Sequence, residues 1–220
     1  MAVYTPLQQK AYEYLKDKVV SGKLDKGQVY SESYFAKELK MSRTPVREAL
    51  QRLVQEGYID VLPSRGFVVH PLTESDIVAM YQMRTAIECF CLSHYANHRD
   101  EPETVQLLSL LRENLVMQRQ CQTGSLVLSD FYKFDYEFHR LLIVHMNNSW
   151  FNEAFEKYAH TFETMTRMTM NCEDRICRSI NEHEEICTII EQGGSREVFD
   201  WMHRHVAFPT TVMLGMLKNS

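Results

Sequence analysis

The chain has 220 residues, of which 45% are hydrophobic and 24% charged, with 8 Gly and 6 Pro. These proportions are globular and exclude collagen-like, low-complexity and largely disordered chains. The net charge of −5 divides into +3 over residues 1–70 and −8 over the remainder, as expected for a nucleic-acid-binding head joined to a body that does not bind DNA. No apolar run approaches the ~18 residues that span a bilayer. The N-terminus lacks a basic start followed by an apolar stretch, so the sequence predicts no signal peptide, no membrane partner and a cytoplasmic protein. The cysteines at 89, 91, 121, 172, 177 and 187 form no CxxC pair and read as reduced, mostly buried thiols.

In chain order, Leu7, Ala11, Tyr14, Leu15 and Val19 recur near the helical period and predict a helix from Pro6 to about Ser21. Gly22 and Gly27 punctuate its exit. Ser31 is placed to cap a short helix to about Leu39, and after Lys40-Met41-Ser42 a second runs from about Arg43 to Gly57. Pro45 is tolerated there because the first helical turn has N–H groups without partners. Tyr58–Leu62 and Phe67–His70 alternate around Pro63-Ser64-Arg65-Gly66, which predicts a hairpin. Three helices and a hairpin are the order of a winged helix-turn-helix.

Beyond Pro71 only helices are expected. Thr73-x-x-Asp76 resembles a capping box and opens a helix to about Asn97. Others are expected over Pro102–Thr123, Ser125–Met146, Ser149–Met170 and Glu173–Gln192, with a last one from Ser195 that Pro209 kinks or ends early. The fold class is therefore mostly α: a DNA-binding winged helix-turn-helix over 1–71 with a small β-hairpin wing, then an all-α antiparallel bundle over 72–220. The bundle has six helices, or seven if Asn171–Ser179 stands apart.

The second helix of a helix-turn-helix presents its N-terminal residues to base edges, here Arg43, Thr44 and Arg47. Arginine can pair bidentately with guanine, and threonine can meet phosphate or a thymine methyl. Arg52, further along, is suited to the DNA backbone, and Arg65 at the wing tip to phosphate or minor groove. The other reading is an amphipathic helix whose arginines are merely solvated.

The segment SRTPVREALQRLVQEGY (residues 42–58), followed by PSRGFVV (63–69), closely resembles the winged-helix domain of the GntR family of bacterial regulators. The upstream GKLDKGQVYSESYFAKELKM fits the same pattern, with Phe35 where leucine is usual. The resemblance covers about residues 6–71. It implies operator DNA as partner, with contacts from Arg43, Thr44, Arg47 and the wing tip Ser64, Arg65 and Gly66. Ser33 falls where some relatives carry a basic residue, so the operator sequence does not transfer.

In the body, Asp135 and His139 stand four apart on one helical face. His183 and His205 lie in the two last predicted helices. One Asp and three His suit Zn²⁺, and also Ni²⁺, Mn²⁺ or Fe²⁺, although spacing alone favours core or surface histidines. This part resembles the all-helical FCD effector domain of the FadR-like GntR branch. The markers are Arg84-x-x-Ile87-Glu88, Asp135-x-x-Phe138-His139-Arg140, Asn148, Glu182-His183-x-x-Ile186 and Met202-x-x-His205, over about residues 73–216. The resemblance implies that Asp135, His139, His183 and His205 hold a divalent metal, zinc first among the candidates. It also implies a small carboxylate effector at the open coordination positions. Arg84 is placed to pair with that effector, or with Glu88 one turn on. Asn148 either touches the effector or caps the next helix, and Arg167 is a second anion partner. Together these features describe a homodimeric regulator, most simply a repressor, whose operator affinity an organic acid modulates. The alternatives are a metal-responsive sensor and a metal-dependent hydrolase, the latter without an evident general acid or base.

Overall fold

The structure is a computed structural model that describes residues 5–25, 27–127, 130–169, 174–193 and 198–218. It divides into two compact units, Met1–Leu72 and Thr73–Ser220.

In the first unit, helix α1 (Pro6–Val20) opens on a capping box between Thr5 and Gln8, with Pro6 in its first turn. Helix α2 (Glu32–Leu39) starts on Ser31, whose hydroxyl accepts the Tyr34 N–H. Lys40 turns the chain left-handed (φ 53°) into α3 (Arg43–Gln55). Val46, Leu50 and Leu53 on the buried face of α3 share one core with Leu15 of α1 and Phe35 of α2. The apolar period dictates this face, and the same period turns Arg43, Thr44 and Arg47 to solvent.

Strands β1 (Ile59–Leu62) and β2 (Gly66–Val69) pair antiparallel, with Ile59 opposite Val69 and Leu62 opposite Gly66. Tyr30 extends the sheet by exchanging two 2.8 Å backbone hydrogen bonds with Phe67. This close approach explains Gly66: at φ 133° a methyl group there would drive into the Tyr30 carbonyl oxygen.

The second unit contains, among the described residues, seven helices: α4 (Glu74–Asn97), α5 (Pro102–Gln122), α6 (Phe131–Val144), α7 (Ser149–Lys157), α8 (Ala159–Thr169), α9 (Arg175–Gln192) and α10 (Val198–Lys218). The capping box at Thr73 and Asp76 is present. Leu92, Leu107, Leu111, Phe138, Leu142, Ile186 and Met202, drawn from five of these helices, form one core. Helix α4 packs on α10, and α5 on α6 and α9. Among the described residues, no helix is long and apolar enough to cross a membrane. Cys89, Cys91, Cys121 and Cys187 are buried free thiols, and Cys177 is exposed.

Three expectations change. Helix α6 begins at Phe131 rather than near Ser125, because the Leu126 N–H turns back onto the Gln120 carbonyl and its side chain packs on the core. The helix expected over 149–170 is two helices, α7 and α8, meeting at Tyr158. Phe151, Phe155 and Phe162 keep the helical period across the break, and no Gly or Pro marks it. Pro209 neither ends nor interrupts α10: it is buried within it, and the Thr210 and Thr211 hydroxyls donate to the Val206 and Ala207 carbonyls. Burial at this position overrides local propensity. Cys172 and the expected helix ends at Met170, Glu173 and Ser195 lie outside the described residues, as does part of the segment 171–179.

Gly66→Ala is expected to lower the unfolding free energy by about 1–3 kcal/mol, because it combines strained φ with a backbone clash. Gly215→Ala, where nothing lies within 4 Å of the added methyl, is the control. It is expected to be neutral or stabilising by up to about 1 kcal/mol. Urea unfolding of both variants checks the contrast.

Candidate metal centre and DNA-reading surface

Three buried histidines from three helices meet inside the second unit: His139 of α6, His183 of α9 and His205 of α10. Their outward nitrogens are all engaged. His139 Nδ1 lies 2.7 Å from Glu88 Oε2, His205 Nδ1 2.7 Å from Glu182 Oε2, and His183 Nδ1 2.8 Å from Gln118 Oε1. The Gln118 orientation follows from its other end, since Nε2 donates to the Phe134 carbonyl oxygen at 3.5 Å, which only accepts, and to Asn114 Oδ1 at 2.8 Å. A carboxylate only accepts, and so does an amide oxygen. Each imidazole therefore carries its proton on Nδ1 and leaves Nε2 as a bare lone pair.

Those Nε2 atoms face one another. His139 Nε2 lies 3.2 Å from His183 Nε2 and 3.3 Å from His205 Nε2, and the three lie within 4.8 Å of one another. Lone pairs so placed repel unless a cation sits among them. Two metal–nitrogen bonds of ~2.0–2.1 Å, at angles between a right angle and the tetrahedral angle, put their nitrogens ~3.0–3.4 Å apart. The closer two pairs fall within that interval. An oxygen acceptor on each Nδ1–H is also the outer arrangement found around metal-bound histidines. The donor set thus fits a divalent ion.

Asp135 borders this group. Its Oδ1 is 3.7 Å from His183 Nε2 and accepts from Ser179 Oγ at 2.9 Å, and its Oδ2 accepts from Thr166 Oγ1 at 3.4 Å. The i, i+4 spacing does bring Asp135 and His139 to one side of α6.

Burial keeps His139 and His183 neutral. Burial pulls His139 down to about 4, against the Glu88 charge that raises it. Burial, with His139 and His205 nearby, pushes His183 well below the usual histidine range. Burial would raise the Glu88 carboxyl, but the Arg84 guanidinium and His139 hold it well below the carboxylate range. The His139–Glu88 contact is thus a hydrogen bond from neutral imidazole to carboxylate rather than an ion pair.

The three residues expected at the effector fare differently. Arg84 lines a small cavity beside the histidines, with its Nε and Nη2 donating to Glu88, so the one-turn ion pair is formed. Asn148 Oδ1 accepts from the Trp150 and Phe151 N–H groups and caps α7, which spends its acceptor. Arg167 pairs with Glu163 at 3.3 Å and stacks on Tyr132, away from the cavity lining.

In the first unit Arg43, Thr44, Arg47, Ser64 and Arg65 are exposed. Arg43 donates to Ser33 Oγ, and Arg47 makes two 2.9 Å hydrogen bonds to the Glu32 carboxylate. Those are the donors a guanine edge would take, and Glu32 holds them in its absence. Ser64 is left-handed (φ 61°) at the wing tip. Arg52 corrects its expected place: its guanidinium lies 3.6 Å from the Tyr12 ring centroid and bonds Glu56 and Gln9. It fastens α3 to α1 because position 52 falls on the side of α3 that meets α1.

Among the residues that escaped the sequence reading are Gln118 and Arg175. Gln118 stands on the apolar stripe of α5 with Leu107, Leu111 and Leu115, where a buried polar residue is itself a signal. Arg175 precedes Ser179 and His183 by four and eight residues on the buried face of α9.

The comparisons agree with this geometry. Residues 7–69 match the family described as bacterial regulatory proteins, gntR family, and residues 79–208 match the FCD domain. The chain is similar to the HTH-type transcriptional repressor RspR of Escherichia coli, 25% identical over 91% of this chain and 86% of that one. It is similar to the gluconate operon transcriptional repressor of Bacillus subtilis, 30% identical over 73% of this chain and 63% of that one. The chain therefore spans less than two thirds of that second relative. A crystal structure of a GntR transcriptional regulator from Rhodococcus shares the fold, with TM-score 0.75, 19% identity and coverage of 96% of this chain and 99% of that one.

Fold and comparisons define the class: a DNA-binding transcriptional regulator, not an enzyme. The chain belongs to the GntR family of bacterial regulators, in the group that carries an FCD domain.

The depressed histidines set a pH dependence for chelator-treated protein. As pH falls below about 6.5 the unfolded chain binds protons that folded His139 and His183 refuse, until about pH 4 for His139. Stability should be full above about pH 6.5 and decline below it, before the carboxylates begin to titrate. Urea unfolding between pH 7.5 and 5 reads this decline, and a flat profile would contradict the buried neutral imidazoles.

Proposed function

We propose that this regulator is a homodimeric repressor controlled by a small carboxylate effector bound at a divalent metal in its second unit. The observation that carries the reading is the set of three Nε2 lone pairs turned toward one another, each fixed by an oxygen on its Nδ1. Asp135, His139, His183 and His205 hold the ion, with zinc first and nickel, manganese and iron also suited to this donor set. A bound ion offers its open positions to an oxygen anion. The chain's own residues do the rest. Glu88, Gln118 and Glu182 orient the imidazoles, Ser179 and Thr166 orient Asp135, and Arg84 adds positive charge to the cavity wall. The relative that represses a gluconate operon is in keeping with an organic-acid signal.

Arg43, Thr44 and Arg47 read base edges in the major groove, and Ser64, Arg65 and Gly66 of the wing meet the backbone or minor groove. Arg47 leaves Glu32 for the DNA. Two-fold symmetry in the protein matches a palindromic operator. The effector acts by binding more tightly to the state with the lower operator affinity.

Metal analysis after chelator-free purification tests the centre. Wild type is expected to carry about one ion per chain and His139→Ala/His183→Ala none. Wild type that stays metal-free after supply of zinc, nickel and manganese would sink the centre and leave the DNA-binding role intact. For the head, Arg43→Ala or Arg47→Ala is expected to weaken operator binding about ten- to a hundredfold, read by fluorescence anisotropy. Unchanged affinity in both variants would remove them from the interface.

A further inference from the structure

The first residue of α9 carries a charge for which the histidine cage has no use. Arg175 is 6% exposed, and its Nε and Nη1 are buried without a hydrogen-bond partner. Its guanidinium is 5.8 Å from the Phe208 ring centroid, a distant cation–π contact that satisfies no N–H. Burial pulls its pKa down, opposed by the charges of Asp135 and Glu182. Burying a guanidinium with open donors is costly, so such a group points to a partner that arrives from outside. The side chain lines the same cavity as Arg84, Asp135, His139 and His205.

The charges on the walls indicate what that partner carries. Arg84 is neutralised by Glu88, and Glu182 by Arg178 at 2.7 Å. Arg175 and Asp135 remain, and they cancel. A divalent ion on the cage then leaves two positive charges unanswered. A monocarboxylate answers one of them and a dicarboxylate both. We propose that Arg175 anchors the second carboxylate of a small dicarboxylate effector whose first carboxylate faces the histidine cage. The planar donor fork of arginine suits a carboxylate taken up bidentately. This rests on the metal-centred reading of the site.

Succinate and butyrate separate the two carboxylates, since they share a four-carbon chain and differ by one acid group. Calorimetry on zinc-loaded, full-length protein is expected to show succinate binding at least about tenfold tighter than butyrate. Arg175→Gln should weaken succinate by about ten- to a hundredfold and leave butyrate within about threefold. Arg175→Lys should fall between, keeping the charge but losing the fork. Without ligand, Arg175→Gln should melt no lower than wild type, because it removes a buried charge that lacks partners. Equal binding of the two acids, no succinate binding at millimolar concentration, or unchanged succinate affinity in Arg175→Gln overturns the proposal. So does a ligand-free Arg175→Gln that melts several degrees lower, which would make Arg175 a structural residue. Zinc content of the same samples separates the causes. If wild type takes up no zinc, the metal reading and this one fall together. If zinc is bound and the acids are not distinguished, only the role of Arg175 falls.

Discussion

His139 Nε2 lies 3.2 Å from His183 Nε2 and 3.3 Å from His205 Nε2, a crowding of lone pairs that a shared cation would relieve. Much of the second unit is arranged to hold that unfavourable geometry in place. Glu88 from α4, Gln118 from α5 and Glu182 from α9 each reach a histidine on a different helix, and Asn114 of α5 accepts from Gln118. None of these partners is exposed, so the hydrogen bonds work in a low-dielectric interior where losing one partner leaves the other buried and unsatisfied. The Arg84–Glu88 pair is part of the same device. Arg84 keeps Glu88 ionised inside the protein, and ionised Glu88 fixes the His139 tautomer.

The first unit is built on a different principle. Its core of Leu15, Phe35, Val46, Leu50 and Leu53 holds α3 firmly, and the N-terminal arginines of α3 face solvent. Arg52 stacks on Tyr12 and stiffens the support rather than serving the recognition surface. Arg47 is already in bidentate contact with a planar carboxylate, in the geometry with which arginine pairs two acceptors of a base. On the proposed reading, operator binding is an exchange of partners at Arg47. It should weaken with salt as phosphate contacts release counterions.

Local pattern carried much of this into the sequence. The helix-turn-helix and wing were legible because SRTPVREAL and PSRGF combine period, capping and turn chemistry in contiguous residues. Asp135 and His139 were legible as a pair because four residues on a helix make one face, and the family resemblance joined His183 and His205 to them. The break at Tyr158 was not legible, since Phe155 and Phe162 keep the helical period across it. Pro209 misled because its burial, which local sequence does not show, outweighs its local cost. Arg167 offered the right chemistry for an anion but pairs with Glu163 away from the cavity lining, and Asn148 caps α7 through its Oδ1. Arg175 offered the same chemistry with no such partner. Its position on the face of Ser179 and His183 was the available signal.

The central claim is that His139, His183 and His205 present bare Nε2 atoms to one point. ¹⁵N NMR of histidine-labelled protein, before and after zinc is added to chelator-treated samples, reads each ring nitrogen directly. The account predicts three rings protonated at Nδ1 throughout, with Nε2 resonances that all shift to metal-bound values on zinc addition. Rings protonated at Nε2, or Nε2 resonances that ignore zinc, would contradict it.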